Sequence, residues 1–209
     1  MKKLVTLYLV FLFFSTALMA QDDEEQRGFK KENLFAGGSI TVSFFNSQTL
    51  LGANPFFGYK IANWLDAGVA LNYVYSGTRD YYQYNDKVRQ TVLGPGAFAR
   101  LYPVSFLFAQ CQFEHNFSKF KYVPPGGSPV ETTTGDANSL LVGGGFAQGR
   151  EKGSNTFYYI CLLFDVMKNP ESPYVNVTSN PSNPLEKRVD MIPIIRAGIN
   201  VSLFSGRNK

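Results

Sequence analysis

The chain has 209 residues, of which 44% are hydrophobic and 15% aromatic, a composition that fits one folded domain and excludes an intrinsically disordered chain. Two of its 20 basic residues, Lys2 and Lys3, lie at the extreme N-terminus, which leaves 18 basic and 16 acidic residues in the remainder. This weak and scattered positive balance does not favour nucleic acid as a partner.

The first twenty residues have the pattern of a secretory signal peptide. Two lysines precede an apolar run, and small residues precede Gln21. The alternative is an uncleaved anchor helix, but the apolar run is shorter than the ~20 residues that a transmembrane helix needs. We therefore predict a signal peptide at 1–20, cleaved after Ala20, and a periplasmic N-terminal tail at 21–32.

From Asn33 onward, apolar and polar residues alternate in runs that turn-forming residues separate, as in β-strands. Helical periodicity is not convincing anywhere in this region. In chain order, the predicted strands are 33–45, 54–62, 65–76, 90–101, 105–118, 139–148, 155–167 and 190–204. The chain is thus predicted to be all-β, with a barrel domain at 33–204 and a C-terminal tail at 205–209.

Short and long connections alternate along these predicted strands. The short connections are 63–64, 102–104 and 149–154, and the long ones are 46–53, 77–89, 119–138 and 168–189. In an up-and-down meander, every second connection emerges at the same end. Outer-membrane barrels have this asymmetry, with short periplasmic turns and longer extracellular loops. The sequence therefore predicts an antiparallel up-and-down transmembrane β-barrel of about eight strands.

The large apolar residues of the predicted strands fall on one face, and the small or polar residues fall on the other. In the strand at 65–76, Leu71 and Tyr73 share one face, whereas Asp66 and Asn72 share the opposite one. In a membrane barrel the bulky apolar face points outward to lipid, and the interior is small or polar. We therefore predict that the apolar face contacts lipid.

Six charged residues of the predicted strands fall on the face opposite the apolar band: Lys60, Asp66, Arg100, Glu114, Asp165 and Arg196. A lipid-facing Arg or Lys costs roughly 2–4 kcal/mol at the bilayer midplane, so these residues are expected inside the barrel. Burial there costs desolvation, which the pairing of opposite charges offsets. The six residues are therefore predicted to form an interior charge network.

Aromatic residues cluster near both ends of the predicted strands. Tyr59, Trp64 and Tyr102 lie near short connections, and the residues toward a long connection are Tyr73, Tyr75, Tyr81, Tyr82 and Tyr84. Aromatic side chains are enriched at the two membrane–water interfaces. We therefore predict two aromatic girdles on the outer surface.

These patterns resemble the small outer-membrane β-barrel domain proteins of Gram-negative bacteria, of the OmpA-transmembrane-domain and OmpX kind, over almost all of the chain after residue 20. The segment RAGINVSL resembles the signal that the barrel-assembly machinery reads, with Arg196, Gly198, Val201 and Leu203 at its polar, glycine and hydrophobic positions. Family members commonly end on an aromatic residue, whereas Phe204 is followed here by residues 205–209. The resemblance implies export to the outer membrane, contact with outer-membrane lipid and lipopolysaccharide, and the assembly machinery as a partner.

Two cysteines and one histidine are the residues that could suggest a disulfide or a metal site. Cys111 and Cys161 are predicted on opposite faces of non-adjacent strands, which does not favour a disulfide. One histidine and two separated cysteines do not form a zinc ligand set. We expect free thiols and no metal or other cofactor.

The interior of a barrel of about eight strands is just wide enough for side chains to fill, which disfavours a porin. We therefore expect a non-enzymatic protein with a structural or surface-interaction role that its extracellular loops carry. Two alternatives stay open: a soluble lipocalin-like carrier of an apolar ligand, and an outer-membrane lipid A-modifying enzyme that uses His115. Phe117 stands where the His-x-Ser spacing of lipid A deacylases would place the serine.

Overall fold

The computed structural model describes residues 29–45, 48–80, 83–126, 131–150, 156–180 and 183–204. Every described strand belongs to one compact unit, Lys31–Lys209. The predicted signal peptide, most of the predicted N-terminal tail and the predicted C-terminal tail lie outside the described residues.

In the part of the chain that the structure describes, ten β-strands follow a 3-10 turn at Lys31–Asn33. They are β1 (Leu34–Phe45), β2 (Gln48–Ala62), β3 (Leu65–Arg79), β4 (Lys87–Val104), β5 (Leu107–Val123), β6 (Glu131–Gln148), β7 (Phe157–Asp165), β8 (Val175–Asn180), β9 (Asn183–Met191) and β10 (Ile194–Ser202). Among the described residues, no helix is long and apolar enough to cross a membrane.

Eight of these strands form a closed antiparallel barrel. Strands β1 to β7 follow one another around the ring, and β10 pairs with both β7 and β1 to close it. This order confirms the predicted all-β, up-and-down barrel. Strands β8 and β9 form a separate hairpin in the connection between β7 and β10. The hairpin was not predicted, because its prolines and polar residues interrupt the alternation that marks a strand.

The connections lie at two ends of the barrel. Among the described residues, the connections at the turn end contain 63–64, 105–106, 149–150 and 156, and those at the mouth contain 80, 83–86, 124–126, 166–180 and 183–193. The connection predicted at 46–53 is wrong, because β2 begins at Gln48 and leaves only 46–47 between the strands. Strands β3 to β6 also extend further toward the mouth than predicted. Their additional residues are mostly polar on both faces, so a pattern based on apolar alternation misses them.

The outer surface of the barrel carries the large apolar side chains. Val69 and Leu71 on β3 are 59% and 44% exposed. Asn72, which lies between the exposed residues Leu71 and Tyr73, is fully buried. Phe113 on β5 is likewise exposed while its neighbour Glu114 is buried. The predicted outward orientation of the apolar face is therefore confirmed.

The interior near the turn end is aromatic, which differs from the small or polar interior that was expected. Phe56 packs against Phe98 with ring centroids 5.5 Å apart, and Phe108 packs against Tyr159 at 6.0 Å, both nearly perpendicular. Tyr102 is also buried inside the barrel, so its predicted place in an outer girdle is wrong. The reason is the strand period, since even-numbered residues of β4 point inward.

Candidate functional site in the barrel interior and mouth

A polar layer crosses the middle of the barrel around the carboxylate of Glu114. We define this layer as Asn72, Gln112, Glu114, Tyr174 and Arg196, all of which are buried. The Arg196 guanidinium donates to Oε1 of Glu114 at 2.9 Å, and the Gln112 amide donates to the same oxygen at 2.8 Å. The hydroxyl of Tyr174 donates to Oε2 at 2.7 Å, and the Asn72 amide lies 3.3 Å from it. Both oxygens of the buried carboxylate are thus satisfied.

The polar layer extends toward the turn end along one strand. Gln110, Gln112 and Glu114 occupy alternate positions of β5, so all three side chains point inward. The Arg100 Nε donates to Gln110 at 2.8 Å, and the Gln110 amide donates to Gln112 at 2.8 Å. Arg196 also donates to Gln112, at 3.1 Å. A continuous chain of hydrogen bonds therefore joins the two buried arginines.

Tyr174 reaches the polar layer from the connection that follows β7. Asp165, the last residue of β7, accepts a hydrogen bond from the Ser172 hydroxyl at 2.6 Å and from the backbone N–H groups of Leu140 and Met167 at 3.1 Å each. The backbone N–H of Tyr174 donates in turn to the Ser172 Oγ at 3.2 Å. These contacts hold the segment inside the barrel. Burial, and next the charge of Glu114, raise the pKa of the Tyr174 hydroxyl well above its usual value, so this group is a neutral donor.

Below the polar layer, Arg100 lies among aromatic rings. We define the aromatic layer as Phe56, Phe98, Arg100, Phe108 and Tyr159. The Arg100 guanidinium carbon lies 4.3 Å from the ring centroid of Tyr159, 4.9 Å from that of Phe98 and 5.0 Å from that of Phe56. Within the described part of the chain, Arg100 forms no ion pair with a carboxylate at 4.0 Å or less. Its charge is therefore stabilised chiefly by ring faces and by Gln110.

Arg150 closes the turn end. Its guanidinium carbon lies 3.6 Å from the ring centroid of Tyr102, and its Nη2 pairs with Asp66 at 3.3 Å. A third contact, from Nη1 to the carbonyl oxygen of Asn63 at 3.0 Å, ties the connection after β6 to the turn between β2 and β3. Arg150 thus covers the end of the interior with a side chain that is itself largely buried.

Five of the six predicted interior charges are buried inside the barrel: Asp66, Arg100, Glu114, Asp165 and Arg196. Lys60 is partly exposed at the turn end, opposite Asp66 in the pairing of β2 with β3. The structure links Arg100, Glu114 and Arg196 through glutamine side chains, and links Asp165 to them through Ser172 and Tyr174. Asp66 is paired with Arg150 instead.

Four residues that connect or pair these charges were not predicted to do so. The alternation of the strand at 105–118 places Gln110 and Gln112 on the same face as Glu114, but it does not indicate their hydrogen bonds to Arg100 and Arg196. Tyr174 and Arg150 lie in connections, where no periodicity indicates whether a side chain points into the barrel. Their roles follow from the tertiary fold alone.

Three residues of the candidate assembly signal, Arg196, Gly198 and Val201, lie on β10, and Leu203 follows the last residue of that strand. Arg196 points inward, whereas Val201 and Leu203 are exposed on the outer surface. Gly198 lies opposite Ser39 of β1, and a Cβ atom there would overlap the carbonyl oxygen of Gly38. The segment therefore lies in the seam at which the first and last barrel strands meet.

His115 and Cys111 lie apart from these interior groups, whereas Cys161 is buried inside the barrel, opposite Arg196 in the pairing of β7 with β10. His115 points outward, where its Nδ1 lies 2.7 Å from Oδ1 of Asn138, whereas the inward Ser118 accepts a hydrogen bond from Gln90 at 3.1 Å. Cys111 is exposed and Cys161 is buried, and both are free thiols. In the described ranges, no group of three or more His, Cys, Asp or Glu residues is arranged to hold a metal ion.

A cavity of about 830 Å³ opens at the mouth, above the polar layer. Its walls include Thr78, Asp80, Gln83, Glu131 and Glu171. Between the polar and aromatic layers, by contrast, the space beside Arg100 and Arg196 amounts to about 10 Å³. The barrel is thus filled by its own side chains in the middle and open at the mouth.

No family model matches the chain, and no curated protein matches it. The fold is similar to that of Ail, the attachment invasion locus protein of Yersinia pestis, solved with the heparin analogue sucrose octasulfate, at 9% identity and a TM-score of 0.42 over 80% of this chain and 92% of that one. It is also similar to the N-terminal β-barrel domain of Pseudomonas aeruginosa OprF, at 13% identity and a TM-score of 0.43 over 81% and 98%. Neisserial surface protein A has 13% identity and a TM-score of 0.40 over 81% and 94%. Each likeness concerns the fold alone.

Proposed function

We propose that the protein is an integral outer-membrane β-barrel with a filled interior, and that it acts as a structural or surface-interaction protein through the connections at its mouth. The observation that carries this proposal is the distribution of side chains. Leu71 and Phe113 are exposed on the outside, while Glu114 and Arg196 are paired inside. Such an arrangement is stable where hydrocarbon surrounds the barrel.

The backbone of the barrel fits the same environment. In a bilayer each N–H and C=O group needs a partner within the protein, and a closed barrel supplies one without leaving an open edge. A transmembrane β-strand needs roughly 9–11 residues. The barrel strands range from 9 residues in β7 and β10 to 18 in β4 and β6.

The filled interior argues for a scaffold rather than a carrier. The space of about 10 Å³ between the two layers cannot hold an apolar ligand, which is what a lipocalin-like carrier would bind inside its barrel. His115 and Ser118 lie on opposite faces of β5, so this histidine has no serine nucleophile within reach on its strand. Neither alternative function gains support from these positions.

The mouth is the surface that supports an interaction role. Its cavity is lined by polar and charged side chains together with apolar ones, among them Phe120 of β5 and Val175 and Val177 of β8. In the proposed orientation the mouth faces the outside of the cell and the turn end faces the periplasm. A partner outside the cell would then meet a concave surface of mixed polar and apolar character on the barrel.

Cysteine labelling of intact cells tests the orientation. The background variant Cys111→Ser removes the exposed native thiol. Tyr84→Cys places a thiol at the mouth, where Tyr84 is 90% exposed, and Asn63→Cys places one in the turn between β2 and β3. We expect a membrane-impermeant maleimide to label Tyr84→Cys on intact cells, and Asn63→Cys only after the outer membrane is permeabilised.

Two results would contradict the proposal. Equal labelling of both positions on intact cells would contradict the proposed orientation. Extraction of the mature protein into buffer without detergent would contradict insertion of the barrel in a membrane, because the exposed apolar band would then face water.

A further inference from the structure

A small cavity lies between the polar and aromatic layers, enclosed by inward side chains of the barrel. Its volume is about 10 Å³, and its walls include Asn54 of β2, Arg100 of β4 and Arg196 of β10. Each of these three side chains is 2% exposed. A cavity of roughly 10–15 Å³ is large enough for one particle of the size of water. The interior therefore has room for a single small molecule or ion at this level.

The three side chains each have one polar atom without a hydrogen-bond partner among the described residues. These atoms are Oδ1 of Asn54, Nη1 of Arg100 and Nε of Arg196, and all three are buried. Buried polar atoms in native proteins are almost always hydrogen-bonded, and cavities that stay empty are lined by apolar groups. Three such atoms on residues that line one cavity therefore indicate a bound species that they share.

The remaining contacts of these side chains hold them in place around the cavity. Thr41 of β1 lies opposite Arg196 of β10, and its hydroxyl accepts a hydrogen bond from the Asn54 amide at 2.7 Å. Arg100 is joined to Arg196 by the hydrogen bonds through the two glutamines of β5. The unpartnered atoms are thus fixed by the barrel and cannot turn to other partners without breaking these bonds.

The charge around the cavity is positive. Two arginines and no carboxylate occur among the described residues that line it. Arg196 is paired with Glu114, whereas Arg100 has no carboxylate oxygen within 4.0 Å among the described ion pairs. A buried charge without an opposite charge is costly, even where ring faces offset part of the cost. One negative charge in the cavity would compensate Arg100.

An anion matches these groups more fully than water does. A water molecule would accept hydrogen bonds from both arginines and donate one to Asn54, but it would leave the charge of Arg100 uncompensated. A halide ion also accepts from both guanidinium groups, and hydrogen bonds between charged partners are the stronger ones. A half-turn of the Asn54 amide directs its N–H groups at the ion, and the Thr41 hydroxyl then donates to Oδ1, because a hydroxyl both donates and accepts.

We propose that this cavity binds one halide ion, chloride under physiological conditions, between Arg100, Arg196 and Asn54. Chloride is only slightly larger than water, whereas phosphate and sulfate are too large for the space. The three residues lie on β4, β10 and β2, so the site is complete only when β10 pairs with β1 and closes the barrel. The folded protein therefore binds the ion, and the unfolded chain does not.

The dependence of stability on chloride tests the site. The protein is refolded in a zwitterionic detergent and unfolded with urea, because guanidinium chloride would itself supply the ion. Chloride replaces gluconate at constant ionic strength. Once chloride exceeds its Kd, a tenfold increase should raise the ratio of folded to unfolded protein about tenfold, because only the folded state binds. Bromide should act as chloride does, and sulfate should have no such effect.

Three variants show whether the effect arises in this cavity. Asn54→Asp keeps the size of the side chain and supplies a carboxylate beside Arg100, so it should unfold at a higher urea concentration than wild type in gluconate and should not respond to chloride. Arg100→Met removes the charge that the ion offsets and should also not respond. Arg188→Gln is the control, because it removes a positive charge from a side chain that is 80% exposed and should keep the full chloride response.

Crystals of the wild-type protein grown in sodium bromide locate the ion directly. We expect an anomalous scattering peak from bromide between the side chains of Arg100, Arg196 and Asn54. A wild-type stability that is independent of chloride, or a cavity without a bromide peak, would overturn the proposal in favour of a bound water molecule. A chloride response of Asn54→Asp or Arg100→Met equal to that of wild type would also overturn it, because the ion would then bind elsewhere.

Discussion

The barrel contains two buried arginines that the fold stabilises in different ways. Arg196 in the polar layer pairs with Glu114 at 2.9 Å. Arg100 in the aromatic layer has Gln110 as its hydrogen-bond partner and lies within 5.5 Å of four ring centroids. The first charge is compensated by a carboxylate, and the second by ring electrons and an amide. The two layers therefore should respond differently when a neighbouring group is removed.

The difference shows how a narrow barrel accommodates charge. In the polar layer, removal of either Glu114 or Arg196 leaves the other residue buried and charged, so the loss of stability is large. In the aromatic layer each ring contributes a small and separate share. We therefore expect stability to depend more on Glu114 than on any single residue of the aromatic layer.

The largest effect is expected for Glu114→Gln. The variant keeps the size of the side chain but leaves the Arg196 charge buried without its carboxylate, so the free energy of unfolding should fall by about 3–5 kcal/mol. Chemical unfolding in detergent, followed by tryptophan fluorescence, measures this change. The double variant Glu114→Gln/Arg196→Met removes both charges and should recover most of the loss. A loss below about 1 kcal/mol for Glu114→Gln would contradict the polar layer described above.

An intermediate effect is expected for Tyr174→Phe. The ring stays, but Glu114 loses a donor at 2.7 Å, and a hydrogen bond to a charged group contributes roughly 1.5–3 kcal/mol. Tyr84→Phe is the matched control, because Tyr84 is exposed in the turn between β3 and β4 and should change stability by less than about 0.5 kcal/mol. Equal stability of the two variants would show that Tyr174 does not bind Glu114 in solution.

A smaller effect is expected for Arg100→Met. This change removes the cation from the aromatic layer and fills its volume with an apolar side chain, while no carboxylate within 4.0 Å loses its partner. The loss should be about 1–2 kcal/mol, from the ring contacts and the hydrogen bond to Gln110. A loss as large as that of Glu114→Gln would mean that the two layers do not differ in the way proposed here.

The polar layer could be predicted only in part. The alternation of β5 and β10 placed Glu114 and Arg196 on inward faces, because a period of two fixes the face of every residue once one is assigned. Their contact depends on where β10 meets the rest of the barrel, and the sequence has no local signal for that. Tyr174 was not predicted, because its segment has no periodicity and enters the barrel only through its contact with Asp165.

The aromatic layer and the polar ends of β4 and β5 at the mouth show two further limits of prediction from the sequence. Phe56 shares the inward face of its predicted strand with Lys60, but the rule that bulky residues face lipid predicts no aromatic side chain on that face. Arg89 and Lys121 were assigned to loops, because the polar ends of β4 and β5 lack apolar alternation. Arg89 lies directly opposite Lys121 only because of the register in which the two strands pair. Which residues face each other near the strand ends is therefore known only from the folded structure.

The position of Arg196 on the final barrel strand bears on how the protein assembles. Glu114 lies on β5, in the middle of the chain, and meets Arg196 only when β10 pairs with both β7 and β1. Until then the carboxylate lacks its cation, and a partly assembled sheet has both a free edge and an unneutralised acid. Joining the two ends of the sheet and neutralising that acid are consequently a single event, which should make the last step of assembly all-or-none.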